Sequence, residues 1–179
     1  MRKLRTEELN RLSVPQYKER PKTPVIVVLD NIRSQQNTGS VFRTADAFRV
    51  ESVWLCGITA TPPHREIHRA ALGATESVDW KYFSRTEDAL KELRSRGYLV
   101  IGVEQTDQSV SLADYFPPDG ARLALIFGNE VSGLEEQILP LLDACIEIPQ
   151  FGTKHSFNVS VSAGIVLWDL ISKINPGPP

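Results

Sequence analysis

The sequence predicts an α/β fold in three layers, with a mainly parallel sheet between layers of helices. Apolar runs alternate along the chain with segments whose apolar residues follow helical spacing. Several of these runs are apolar at every position, which is typical of parallel strands covered on both faces. The chain has 179 residues, and a typical domain has roughly 150. Together these observations predict one domain in which strands and helices alternate.

The chain is expected to begin with a short arm at residues 1–23. This stretch is polar and mostly charged, with one short helical candidate at residues 6–12 and then a connector that contains proline. The folded domain is expected at residues 24–174. A Pro-rich tail at residues 175–179 would stop the last helix, because proline cannot continue one.

Six strands and three main helices follow from the periodicity. The strands are predicted at residues 25–29, 52–56, 98–103, 123–127 and 144–148, with a weaker candidate at 78–83. The helices are predicted at residues 38–49, 86–96 and about 158–174. The second helix has Thr86 at the capping position, acidic residues in its first turn and arginines in its last turn, as the helix macrodipole favours.

The charge balance argues against two classes of protein. With 20 Lys and Arg against 22 Asp and Glu, the net charge is -2, which fits neither a protein that coats nucleic acid non-specifically nor an acidic disordered tail. A local basic patch is still compatible with this balance. Cys56 and Cys145 lie far apart in apolar runs and are expected to be reduced core residues. The charged N-terminus and the lack of an apolar run of ~20 residues predict a cytoplasmic protein without a membrane span.

Three polar loops form the candidate ligand site. In a parallel sheet the ligand site lies beyond the carboxyl ends of the strands. Residues 30–39, 127–134 and 148–158 each follow a predicted strand and are rich in Asn, Gly and Ser. Such loops suit a ligand that is held by backbone amides and side-chain hydrogen bonds, and Gly128 and Gly152 could allow close approach of the backbone.

Two common types of site do not fit the sequence. Leu134-Glu135 stands where a phosphate-binding loop needs Lys and then Ser or Thr, so a nucleoside triphosphate is not expected. His64 and His68 lack the adjacent Glu of the zinc motif. They also follow two prolines, which predicts a loop and no metal site.

Single residues in the three loops also have plainer interpretations. Arg43 could be a solvated helix residue, and Asn37 could cap the helix predicted to begin at residue 38. Glu130 could merely lie at a turn, and Ser156 or Asn158 could cap the last helix. Their joint occurrence on three strand-end loops favours one shared ligand site.

The same loops carry three ordered motifs. The first comprises Asn31, Asn37, Gly39, Arg43, Ala45 and Phe48. The second comprises Phe127-Gly128, Glu130, Gly133 and Leu134, and the third comprises Ile148-Pro149, Gly152 and residues 156–160. With these motifs, residues 24–174 resemble the SpoU branch of the SPOUT methyltransferases, which modify ribose 2'-hydroxyls of tRNA and rRNA. Gln150 and Phe157 depart from the usual Met and Leu at positions that wall the adenine pocket in that family.

The resemblance implies a fold and a reaction. The C-terminal third would be threaded into a deep trefoil knot, and two copies would form a homodimer with the last helix at the interface. The cofactor would be S-adenosylmethionine, with no metal, and the product a ribose-methylated tRNA or rRNA. The sequence of residues 44–48 favours a guanosine as the modified nucleotide. The alternative is a homologue that binds RNA or cofactor without turnover.

The resemblance also implies a role for each site residue. Gly128, Ile148, Gln150 and Phe157 would bind the cofactor. The catalytic set would be Arg43, Asn37, Ser156, Asn158 and Glu130. Because a guanidinium stays protonated, Arg43 is expected to clamp the substrate phosphate and to stabilise the developing oxyanion. The phosphates of the RNA would contact Arg65, His68, Arg69 and Lys154, with Arg2, Lys3, Arg5, His64 and His155 as further candidates.

Overall fold

The computed structural model describes residues 1–174, and the predicted tail at residues 175–179 lies outside them. Its centre is one sheet of seven strands in the order β3-β2-β1-β6-β4-β7-β5, and every pairing is parallel. The strands are β1 Thr23–Asp30, β2 Val50–Cys56, β3 Trp80–Phe83, β4 Tyr98–Val103, β5 Val110–Ser111, β6 Arg122–Phe127 and β7 Ala144–Glu147. The six predicted strands are all present, and the two-residue β5 is an addition.

The helices cover both faces of this sheet. They are α1 Val14–Glu19, α2 Gln35–Ala47, α3 Arg65–Ala71, α4 Ala74–Ser77, α5 Thr86–Ser95 and α6 Val159–Ile174, with short 3-10 turns at Thr6–Leu9 and Leu139–Leu141. Within residues 1–174, no helix has both the length and the apolar composition that crossing a membrane requires.

Alternate residues of the central strands build two separate cores. On one face, Val27 and Leu29 of β1 pack in a cluster that includes residues of α2 and α6. On the other face, Ile26 and Val28 pack in a cluster that includes residues of α5. Side chains of a strand point alternately to opposite faces, so β1 is buried on both sides. The predicted three-layer, parallel α/β arrangement is confirmed.

One predicted helix start and one predicted helix cap are wrong. The first main helix begins at Gln35, three residues earlier than predicted, because the Ser34 hydroxyl accepts the N–H of Asn37 and caps it. The predicted cap, Thr86, is instead the first residue of its helix. Its hydroxyl donates instead to the buried carboxylate of Asp30.

The region after β2 also differs from the prediction. His64 and His68 do not lie in a loop: His64 caps α3 and His68 lies within that helix. A helix can begin after two prolines because the cap residue itself has extended backbone. Cys56 is buried as expected, whereas Cys145 is only partly buried and is not a full core residue.

The arm at residues 1–23 contains two short helical segments, of which α1 contacts the rest of the molecule. Tyr17 of α1 is buried in the main core, and Ser13 caps this helix by accepting the N–H of Gln16. The second half of the arm therefore packs on the domain. The boundary at residue 24 stays a prediction.

Candidate active site

The sheet order brings the three polar loops to one edge. β1 and β6 are neighbours, and only β4 separates β6 from β7. Because all these strands are parallel, the loops that follow β1, β6 and β7 emerge at the same carboxyl edge.

A chain of hydrogen bonds joins one residue from each loop. The amide nitrogen of Asn37 donates to Oε1 of Glu130 over 3.1 Å, and the amide nitrogen of Asn158 donates to Oδ1 of Asn37 over 3.1 Å. Asn37 is therefore not the helix cap that the plainer interpretation suggested. Its side chain uses both polar atoms to connect the other two loops.

Asn158 has two roles at once. Its Oδ1 accepts the backbone N–H and the hydroxyl of Ser160 at the start of α6, as a capping residue does. The same bonds fix the amide plane, so its nitrogen faces Asn37. Asn158 thus caps α6 and, with the same side chain, hydrogen-bonds to Asn37 on another loop; its role in a reaction stays a prediction.

Glu130 is held in its ionised form. Partial burial on its own would favour the neutral acid, but hydrogen bonds from its own backbone N–H, from Asn37 and from the backbone of Arg33 outweigh burial and lower the pKa of Glu130 below its usual value. The side chain is therefore a carboxylate at neutral pH. A fixed negative charge at the rim of the site follows.

Arg43 and Ser156 stand outside this chain of hydrogen bonds. Arg43 lies on α2 with its side chain exposed, and within residues 1–174 no carboxylate pairs with it. Ser156 is exposed on the loop after β7. Both side chains are available to a ligand rather than committed to the fold.

Beside the hydrogen-bond chain lies a cavity of about 320 Å³. Six of the predicted site residues line it, namely Gly128, Glu130, Ile148, Gln150, Ser156 and Phe157. All four predicted cofactor residues thus share one cavity, whereas Asn37, Arg43 and Asn158 are not among its walls.

Sequence reasoning missed the contribution of β4 and of the last residue of β7. Val103 and Glu104, where β4 ends, line the cavity, and so does Glu147. The signal was present, because β4 was a predicted strand and its carboxyl end had to meet the same edge of the sheet. With Glu130, the cavity has three acidic side chains and no Lys or Arg among its lining residues. This charge pattern disfavours a phosphate and suits hydroxyl groups or a positively charged ligand.

The loop after β6 is closed on itself by close packing. A Cβ on Gly128 would lie 2.2 Å from the carbonyl carbon of Gly133, and one on Gly133, whose φ is +66°, would lie 2.0 Å from Oε2 of Glu104. That Glu104 oxygen accepts the backbone N–H of Leu134 over 2.9 Å. Gly128 and Gly133 therefore shape this wall of the cavity, whereas a Cβ added to Gly152 would meet no atom within 4 Å.

The four main predicted RNA-binding residues are exposed and lie on two elements, whereas the further candidate His64 is half-buried. Arg65, His68 and Arg69 share α3, and Lys154 lies on the loop after β7. Arg2 in the arm is instead paired with Glu8. Among residues 1–174, no group of three or more His, Cys, Asp or Glu side chains could hold a metal ion.

Comparison with known proteins places this site in a family. Residues 24–168 match the model of the SpoU rRNA Methylase family. A 23S rRNA (guanosine-2'-O-)-methyltransferase of Neisseria meningitidis is 35% identical over 144 residues, which are 80% of this chain and 56% of that protein. A tRNA (guanosine(18)-2'-O)-methyltransferase of Mus musculus is 33% identical over 81% of this chain and 9% of its own length.

Solved structures agree with the sequence comparison. The AdoMet-bound rRNA methyltransferase of Sinorhizobium meliloti superposes with a TM-score of 0.77 and 29% identity, covering 83% of this chain and 56% of that one. The TrmH/SpoU tRNA modifying enzyme of A. aeolicus gives 0.76 and 25%, covering 88% and 78%. The fold is the α/β domain with the C-terminal knot of these methyltransferases, as predicted. The chain spans well under two thirds of the curated relatives described here. With its motifs on three adjoining loops and a match over residues 24–168, the chain belongs to the SpoU rRNA Methylase family.

Proposed function

We propose that the protein is an RNA 2'-O-ribose methyltransferase that uses S-adenosylmethionine. The observation that carries the proposal is the chain of hydrogen bonds from Asn158 through Asn37 to Glu130, which unites the three motif-bearing loops beside one cavity. The names of the relatives in Neisseria and mouse, both guanosine 2'-O-methyltransferases, support this reaction and favour a guanosine in rRNA or tRNA.

The cavity fits the proposed cofactor in its chemistry. Ile148 and Phe157 offer apolar surface for an adenine ring, and acidic side chains suit ribose hydroxyls and an amino group. The AdoMet-bound structure from Sinorhizobium supports the same cofactor. When bound, S-adenosylmethionine supplies a methyl group already activated on positively charged sulfur. Gly128, Ile148, Gln150 and Phe157 are the residues proposed to hold it.

The remaining work falls to residues outside the cavity wall. The ribose oxygen must be oriented and its developing negative charge stabilised. Arg43 is exposed and unpaired in the described chain, so its guanidinium is free to hold a phosphate and this oxygen at once. Asn37, Ser156 and Asn158 are proposed to orient the ribose, and the Glu130 carboxylate fixes the amide of Asn37.

The proposal extends to partners. Arg65, His68, Arg69 and Lys154 are proposed to contact RNA phosphates, and each is exposed. A homodimer through α6 is proposed because Trp168 on that helix is 67% exposed and lies beside an apolar cleft. A cytoplasmic location stays a prediction.

The test is methyl transfer by the purified protein. It is incubated with labelled S-adenosylmethionine and separately with tRNA and rRNA that lack the modification, and the RNA is digested to nucleosides. We expect the label in a ribose-methylated nucleoside, most of it guanosine. Cofactor binding by calorimetry without transfer to either RNA would contradict the proposal and indicate a homologue that binds without turnover.

A further inference from the structure

A second cleft, of about 260 Å³, lies between α3, α4 and the start of β3. Rings form most of its walls, with one acidic side chain: Pro62, Pro63, His64, His68, Trp80 and Glu76. Pockets for drug-sized ligands have roughly 300–1,000 Å³. The cleft lies just below this range and has room for one flat heterocycle.

The ring surface is formed before any ligand binds. Trp80 is 38% exposed on β3, an edge strand that pairs with β2 alone. In the described part of the chain, no other aromatic ring and no cation packs against it. Nδ1 of His64 accepts the backbone N–H of Glu66 over 3.3 Å, which fixes that imidazole. The rings of His68 and Trp80 are exposed, and exposed rings are the surface on which nucleic-acid bases stack.

The acidic side chain distinguishes a base from a bare phosphate. Glu76 is exposed and has no hydrogen-bond or ion-pair partner among residues 1–174. Its oxygens only accept hydrogen bonds when ionised, so they would repel a phosphate and receive the ring or amino N–H of a base. Guanine presents two such N–H groups on one edge and fits best.

Two arginines lie next to the two histidines in the sequence. Arg65 and Arg69 each follow one of the two histidines and lie four residues apart, on one side of α3. Both are exposed, and neither pairs with a carboxylate in the described chain. Neither lines the cleft itself, so they can contact the phosphates beside a bound base rather than the base.

We propose that this cleft binds one unpaired base of the substrate RNA, stacked on Trp80 and His68 and hydrogen-bonded to Glu76, with its phosphates on Arg65 and Arg69. The identification of RNA as the ligand rests on the proposed function. The base bound here is a second nucleotide, not the one that is methylated. Because α3 packs directly on α2, the cleft anchors the RNA on the neighbour of the helix that carries Arg43.

The test measures the affinity of the full chain for a short, labelled single-stranded oligoribonucleotide of mixed sequence by fluorescence anisotropy. Loss of one stacked base weakens binding by about 5- to 150-fold, and we expect a loss in this range for Trp80→Ala. Trp80→Phe keeps a ring and should restore most of the affinity. Phe116→Ala removes an aromatic side chain that is 70% exposed elsewhere and should bind as the wild type does.

A second pair of variants protects the test against misfolding of Trp80→Ala. Arg65→Gln and Arg69→Gln change exposed residues and should leave the fold intact. Each should lower the slope of log affinity against log salt concentration by about 0.7, the value for one phosphate contact on a single strand. Slopes equal to that of the wild type would overturn the proposal.

The remaining outcomes separate this inference from the proposed function. If the wild type transfers methyl groups while a folded Trp80→Ala binds the oligoribonucleotide as tightly as the wild type, the cleft proposal fails and the function stands. If binding depends on Trp80 but no RNA is methylated, the function fails and the cleft stands. Self-association that Trp80→Ala abolishes, with RNA affinity unchanged, would overturn the cleft proposal in favour of a protein contact.

Discussion

Glu130 acts on the site through the amide of Asn37. Its carboxylate accepts that N–H over 3.1 Å, and Asn37 in turn accepts from Asn158. Side chains with both a donor and an acceptor can transmit orientation in this way, whereas a carboxylate can only end the chain. The Glu130 carboxylate thus sets the direction of the Asn37 amide, and Ser160 fixes the Asn158 amide at the other end.

The lowered pKa of Glu130 leads to a prediction about stability and pH. A carboxyl group whose pKa is depressed on folding stabilises the fold above its unfolded pKa, and this contribution is lost as the pH falls through the folded value. Glu130→Gln should therefore lower the free energy of unfolding at pH 7 relative to the wild type. The difference should shrink in acid, below the usual range of glutamate. Urea unfolding at several pH values checks this, and a difference that is constant with pH would contradict it.

Arg43 is predicted to act in transfer and not in cofactor binding. Removal of one group that stabilises an oxyanion costs about 100- to 1,000-fold in rate, so Arg43→Ala should reduce methyl transfer by at least about 100-fold. Arg43→Lys should also be strongly impaired, since an ammonium cannot reproduce the two-pronged contact. The affinity for S-adenosylmethionine, measured by calorimetry, should change by only a few-fold. Loss of cofactor binding in a folded variant would refute the clamp role.

At the scale of elements, the loop after β6 depends on β4 for its shape. Glu104 at the end of β4 accepts the N–H of Leu134, and the positive φ of Gly133 brings the loop against that carboxylate. A strand that supplies no family motif therefore supports the wall that carries one.

Gly133→Ala should lower the free energy of unfolding by more than the same substitution at another glycine with positive φ. Gly97 also has positive φ, +77°, but a Cβ there would meet nothing within 4 Å. Gly97→Ala should thus cost only the backbone term, about 1–2 kcal/mol. At Gly133 the Glu104 carboxylate must also move and leave a backbone N–H without its partner, which adds about 1–3 kcal/mol. Equal unfolding free energies for the two variants in urea would show that Glu104 does not support this loop.

The elements also show why sequence reasoning reached some features and not others. Long apolar strands were predicted within a few residues, because burial on both faces leaves a local pattern. The two-residue β5 has no such pattern and exists only because Val110 and Ser111 pair with β7. Thr86 looked like a cap, and only the fold brings Asp30 beside it. Likewise, the sequence was equally compatible with Asn37 as a helix cap or as a ligand-binding residue, because its partner Glu130 lies 93 residues away in the chain.

At the scale of the whole molecule, acidic and basic side chains lie on different parts of the surface. The net charge is only -2, yet acidic side chains line the main cavity while Arg65 and Arg69 lie exposed on α3. This distribution agrees with the proposed function, in which the RNA backbone and the positively charged cofactor require opposite surroundings.

The proposed homodimer is tested on α6. Trp168→Glu places a charge in the exposed apolar face and should convert the dimer to a monomer, as measured by light scattering. Ile58→Glu is the matched control, because Ile58 is similarly exposed, at 64%, but lies after β2. A dimer that survives Trp168→Glu would place the interface elsewhere.

The contact between α2 and α3 has a mechanical consequence. A Cβ at Gly39 would lie only 2.4 Å from the carbonyl oxygen of Ile67 and 2.7 Å from the Cβ of Ala70, so the two helices are in close contact at this point. Buried side chains of both helices, among them Phe42 and Ile67, pack in the same core, so close packing sets the separation of the two helices. In the proposed complex, a base bound beside α3 would therefore lie at a set distance from Arg43 on α2, and that distance would select which nucleotide reaches Arg43.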